Sequence, residues 1–179
     1  MRIEVDMPKL TGTATLSLTA AMWEALRSQD VRISAVAPAT VRNGSDAPVV
    51  SFSSGTGEVD PAGSGGTRFA GGLRLDGADG AFIELTDPVG VLPAGKAELS
   101  VRTAADGDAV KRVKVFEYTL VKSLKINPLG LSFSIGGSEM RVTQEFAAIL
   151  SEDLDGFAVE PGTVFAMGAG EFGLTSRAS

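Results

Sequence analysis

Glu84, Asp87 and Glu98 are the carboxylates of this chain that fall on or beside strand-like stretches. Two such groups held about 5 to 9 Å apart are what glycoside hydrolysis needs. No spacing in the sequence pairs them, and carboxylates of this kind ordinarily decorate the solvated face of a strand. Asp76 and Asp79, in "LDGADGAF", offer the hard oxygen ligands that calcium takes. Their spacing is not that of an EF-hand loop, and a hairpin turn between Leu75 and Phe82 accounts for the same residues. Asp106 and Asp108 read the same way. Histidine and cysteine are absent altogether. That removes the usual general base near neutral pH, thiolate chemistry and the commonest metal ligand, and with them Ser-His-Asp catalysis. The chain is therefore expected not to be an enzyme, and no metal or cofactor is expected.

A second grouping is basic. Lys111, Arg112, Lys114, Lys122 and Lys125 concentrate positive charge at the two ends of one long strand-like run that also holds Phe116 and Tyr118. With Tyr118 they form the candidate interaction surface, suited to an anionic ligand or an acidic neighbour subunit. Lysines on an exposed strand also discourage edge-to-edge aggregation, which accounts for the same residues. The net charge of -6 argues against nucleic acid. No apolar run approaches the roughly 18 residues of a spanning helix, so no direct membrane insertion is expected. Met1, Arg2, Glu4 and Asp6 do not resemble a secretory leader, which leaves a chain trimmed after export, a cytoplasmic one, or part of a particle.

The elements that must position these groups are mostly strands. The 179 residues fit one domain. Alternation marks strands at Thr13 to Leu18, Val31 to Ala35, Val49 to Ser53, Phe69 to Leu75, Phe82 to Thr86 and Ala97 to Val101. The run from Val110 to Ile126 changes phase near Phe116, which predicts a bulge or a crossing between sheets. Leu131 to Ile135, Phe157 to Val159, Thr163 to Ala166 and Phe172 to Leu174 follow, while the glycine-rich section from Gly55 to Gly66 reads as a loop with a short strand near Val59. The final "SRAS" reads as a frayed terminus. Short, evenly spaced strands predict an all-β antiparallel sandwich.

Two stretches depart from strand spacing. Met22, Trp23 and Leu26, and later Phe146, Ile149 and Leu150, fall on helical faces, with Thr19 and Thr143 placed as N-caps. The acidic "SEDLD" from Ser151 to Asp155 is the expected solvated end of the second helix. Laid over one another, Leu18 meets Val142, Thr19 meets Thr143, and "PATV" at Pro38 meets "PGTV" at Pro161. The expectation is a pseudo-repeated strand-helix-strand unit, about 13–53 and 131–174, whose helices cap the open ends of the core.

From Gly66 to Val91 the chain reads "GTRFAGGLRLDGADGAFIELTDPVGV". This resembles the signature of the HtaA-type domains of actinobacterial cell surfaces, in which an "RFAG"-like strand leads to a Gly-His-Asp-Gly turn and a strand ending in Asp-Pro. Phe69, Ala70 and Gly71 match the first part, Gly77, Asp79 and Gly80 the turn, and Asp87 and Pro88 the end. "VTQEFAAIL" and "VEPGTVF" are similar to the C-terminal half of the family. The resemblance implies a secreted or surface-held β-domain. It also implies haem uptake through Tyr and His, but Ala78 stands where the turn would carry His, and Tyr118 is left as the one conceivable axial ligand. The resulting expectation is a non-enzymatic surface or secreted module that acts in binding or assembly without haem. Its partner would be a protein or a second copy, with the small ligand unknown. The alternative is a structural subunit of a virion or tail.

Overall fold

The computed structural model describes residues 7–174. The chain runs β1 (Lys9–Leu18), α1 (Ala20–Ser28), β2 (Arg32–Val36), β3 (Thr40–Asn43), β4 (Pro48–Val59), β5 (Gly65–Phe69) and β6 (Gly72–Asp76). It continues through β7 (Phe82–Leu92), β8 (Ala94–Thr103), β9 (Lys111–Thr119), β10 (Leu124–Asn127), β11 (Ser132–Val142), α2 (Gln144–Asp153) and β12 (Val164–Gly173). The expected frayed terminus lies outside the described residues.

The sheet closes on itself. Strands β7, β5, β4, β1, β12, β11, β9 and β8 follow one another round an antiparallel circuit, because β8 pairs with β9 on one side and with β7 on the other. The result is a closed eight-stranded barrel with extra strands, not the sandwich expected from the strand spacing. Bulges in β7, β9 and β11 supply the coiling that lets the ends of one sheet meet. Strands β2 and β6 extend the wall from the first half of β7, β3 lies beside the first half of β4, and β10 lies beside β11.

Several boundaries differ from the sequence expectations. Most of the supposed Gly55 to Gly66 loop is strand, with the true turn at 60–64 organised by Asp60, whose carboxylate accepts from Ala62 N and Ser64 N. The supposed single strand from Phe69 to Leu75 breaks at Ala70 and Gly71, and the run from Val110 to Ile126 breaks in a turn at 120–123. Phe157 to Val159 is not a strand, and the last two expected strands are one, β12.

Apolar side chains fill the barrel in two clusters. The larger holds Phe52, Leu85, Phe116 and Phe165 with Met22, Leu26, Phe146 and Leu150 of the helices. The smaller, at the other end, holds Leu10, Val59, Leu92, Tyr118, Phe133 and Phe172. Both helices cover the same end, since Leu18 and Met140 both pair with Ala166 and each strand leads into its helix there. Trp23 packs half-buried against the larger cluster, with Arg27 stacked 5.5 Å from its ring. Leu154, within the acidic "SEDLD", is buried, and its flanking acids stay at the surface or partly so.

Candidate interaction groove

The basic residues do not gather into one patch. Arg112 and Lys114 face outward from the first half of β9, Lys111 begins that strand 3.9 Å from Asp106, Lys122 lies in the following turn and Lys125 on β10. Tyr118 faces the other way and is 8% exposed. The cause is the bulge at Val115: Ala97 pairs with Phe116 and Glu98 with Lys114, so Val115 and Phe116 both turn inward and Tyr118 follows in the new phase. Its hydroxyl donates to the carbonyl of Val91 at 2.8 Å and accepts from Val91 N at 2.7 Å. Burial pushes the phenol above its ordinary range, and the bond to Val91 works in the opposite direction.

On the outer wall Arg112 meets two of the carboxylate residues singled out in the sequence. Its Nε donates to Glu98 Oε1 at 3.1 Å, and its terminal nitrogens donate to the carbonyls of Asp87 at 2.9 Å and Glu98 at 3.0 Å and to Ser100 Oγ at 3.0 Å. Arg112 stands on the rim of an open groove lined by Ser54, Thr56, Arg68, Phe69, Asp87 and Glu98. A break in the wall makes this groove. In β7, Asp87 and Pro88 stand opposite Leu99 alone, and Asp87 takes a φ of 54°. Beside them β5 ends and β6 begins, the link being held by Asp87 N to Gly71 O at 2.9 Å and Ala70 N to Ser54 O at 3.2 Å. Gly71 has a φ of +85°, and a Cβ there would lie 2.6 Å from Ala39 N and Val36 O. The "RFAG" and "DP" segments, separate in sequence, thus meet at one place.

The groove carries both signs of charge. Arg68 and the Asp87 carboxylate have no ion-pair partner among the described residues, whereas Glu98 is held by Arg112. Arg68 was missed in the sequence, although its position before Phe69 inside the motif was the available signal. Glu84 lies elsewhere. Arg102 bonds it at 3.0 Å and Arg74 at 3.5 Å, and both guanidiniums stack on Phe82. A carboxylate so occupied is a strut of the wall, and Glu84 does not join Asp87 and Glu98 at the groove. Asp79 lies in a 3-10 turn at Ala78–Gly80 that joins β6 to β7, while Asp76 bonds Arg74 at 2.9 Å. No cluster of metal-ligating side chains occurs among the described residues.

No family model and no curated protein matches the sequence. Solved structures do match. The C-terminal domain of HtaA from Corynebacterium glutamicum superposes with a TM-score of 0.66 at 15% identity, covering 93% of this chain and 99% of that one. The fold is that of the HtaA domains. The N-terminal domain of the same protein gives a TM-score of 0.62 at 12% identity over 93% and 98% of the two chains. A variant of the C-terminal domain, as a domain-swapped dimer, gives 0.58 at 16% identity over 87% and 92%. The likeness spans a whole domain in each case.

Haem held by a tyrosine-histidine pair does not fit this HtaA-like barrel. Ala78 is exposed at the helix-bearing end, Tyr118 is buried toward the other, and the Tyr118 hydroxyl is committed to Val91. No other tyrosine and no histidine is present. The outer wall carries Thr13, Lys114, Glu117 and Glu171 while the inside is apolar, the reverse of a membrane barrel. No helix among the described residues is long and apolar enough to cross a membrane.

Proposed function

We propose that this chain is a non-enzymatic cell-surface or secreted module that acts by binding or assembly, and that it meets its partner through the outer groove at Arg68, Asp87 and Arg112. The observation that carries this reading is the HtaA-like fold over nearly the whole chain, with the "RFAG" and "DP" segments of the signature drawn together at that groove. The partner of fitting chemistry is a second copy of the chain. A two-fold contact is self-complementary, and one patch bearing a free guanidinium and a free carboxylate meets that requirement. Lys114, beside Glu98 in the next strand, widens the same surface, whereas Lys122 and Lys125 stand apart from it.

Light scattering across a concentration series tests the proposal. The native chain is expected to approach twice the monomer mass, and Arg68→Glu to stay monomeric with an unchanged melting temperature. A native chain that remains monomeric throughout would overturn self-association through the groove. Turnover of any member of a sugar-substrate panel, lost in Asp87→Asn, would overturn the non-enzymatic reading.

A further inference from the structure

All eight barrel strands contribute to an apolar space of about 90 Å³ at the waist of the barrel. It lies where the two core clusters meet, with Phe52 and Phe116 of one and Tyr118 and Phe172 of the other in its wall. Small side chains open it, notably Ala14 on β1 and Ala97 on β8. The large ones cannot simply collapse inward, because they hold one another. Phe172 stacks on Phe133 at 4.7 Å and meets the edge of Phe69 at 5.7 Å, and Phe69 lies 5.5 Å from Phe52. Gly57 seats two of these rings, since a Cβ there would come within 2.9 Å of Phe133 and 3.0 Å of Phe172.

Such a space favours an apolar occupant over water. A buried water needs about two to four polar partners, and apolar cavities of about 150 Å³ stay dry and take benzene or xenon. Here the Tyr118 hydroxyl already spends its proton and a lone pair on Val91. The wall also has a weak seam. Strands β9 and β11 pair only at Glu117–Arg141 and Phe116–Val142, and below that β11 bulges between Ile135 and Ser138. The buried Ser138 hydroxyl at this seam finds no hydrogen-bond partner.

The geometry points to a binding site at the barrel waist for one small apolar molecule, of the size of xenon or a hydrocarbon of about three or four carbons, reached through the β9–β11 seam. It is separate from the outer groove and does not depend on it. Methyl NMR of the whole chain under xenon pressure decides the matter. Saturable shifts are expected, confined to methyls of the waist such as Leu85, Leu99 and Met140. Propane should reproduce them, and ethanol, with the same number of heavy atoms, should not. Ala97→Val or Ala14→Val fills the space, and either variant, once folded, is expected to lose at least four-fifths of the shift. Shifts that are absent, or that rise linearly without saturating, overturn the site even if neither variant folds. Equal shifts in a folded, filled variant overturn its location, and equal binding of ethanol overturns the apolar class.

Discussion

The Tyr118 hydroxyl serves Val91 as a neighbouring strand would, donating to its carbonyl at 2.8 Å and accepting from its N–H at 2.7 Å. Pairing between β7 and β8 stops at Val89 and Glu98, so Val91 has lost its backbone partner on that side. Tyr118 reaches across β8 from β9 to replace it. The path is open because its register partner is Gly95, and because Gly90, where a Cβ would lie 2.8 Å from the hydroxyl, has no side chain. A residue that looks in sequence like a ligand or contact aromatic is a stitch in the barrel seam.

Tyr118→Phe should therefore cost about 1 to 2 kcal/mol, since both polar groups of Val91 lose their partner. Urea unfolding measures it. The phenol's folded pKa lies above its unfolded value, so its contribution is complete below about pH 10 and lost as pH rises through the folded pKa. The native chain is expected to lose more stability than Tyr118→Phe between pH 9 and 11. Equal losses would show that the hydroxyl does not stay protonated in the fold.

Asp153 ends α2, where the helix dipole already places negative charge, and lies near Asp106 and Glu152. Partial burial first, and Asp106 next, raise its carboxyl above the ordinary range, with a bond to Thr103 opposing them. A raised folded pKa means that the ionised form weakens the fold, the penalty being absent below the unfolded pKa near 3.8, growing as pH rises toward the folded pKa and complete above it. Asp153→Asn should stabilise the chain at pH 7 by a few tenths of a kcal/mol. Thermal melts at pH 7 and pH 3.5 check this, since the gain should vanish at the lower pH.

Gly71 joins β5 to β6 with φ at +85° and no room for a Cβ beside Ala39 N. Gly71→Ala is expected to cost more than about 2 kcal/mol, combining left-handed strain with a backbone clash. Gly107 supplies the comparison, because its φ is +61° but nothing lies within 4 Å of a Cβ there. Gly107→Ala should cost about 1 kcal/mol, the conformational part alone. Similar losses at the two sites would mean that the junction behind the groove is looser than its contacts imply.

Much of the fold was legible where side chains carry the signal. The helices announced themselves by spacing and by Thr19 and Thr143, and the phase change near Phe116 marked a real bulge at Val115. Two of the misplaced strands have a common cause in glycine. Gly55 and Gly57 on β4, and Gly168 and Gly170 on β12, occupy buried positions without side chains. Alternation therefore disappears from the strands that seat the phenylalanine rings, so that the second half of β4 reads as a loop and β12 as two fragments.

Closure was not legible, because it depends on accumulated twist from bulges and not on any single hydrophobic pattern. Phe157 shows the converse error. It is buried by packing in the larger core cluster, without any ladder, and its apolar character alone suggested a strand. The groove was half visible. "RFAG" and "DP" stood out as motifs, but only the fold brings them to Arg112, and only the bulge turns Tyr118 away from the lysines.

The two helix caps share a bonding pattern that goes beyond capping. Thr19 Oγ1 accepts from Met22 N at 3.1 Å and donates to Val164 O at 3.3 Å, while Thr19 N donates to Phe165 O at 3.2 Å. Thr143 Oγ1 accepts from Phe146 N at 3.2 Å and donates to Lys114 O at 2.6 Å, while Thr143 N donates to Val115 O at 3.1 Å. Each threonine ties its helix to two successive carbonyls of a neighbouring strand, Thr19 to β12 and Thr143 to β9. Thr143 is 4% exposed and Thr19 half-buried, so water can replace the lost bonds more readily at Thr19. Thr19→Ala should cost about 1 kcal/mol and Thr143→Ala about 2 kcal/mol, with serine at either site recovering most of the loss. Urea midpoints of the four variants measure this. Serine failing to rescue would assign the loss to the threonine methyl and its packing, and the shared bonding would then carry little of the stability at either helix.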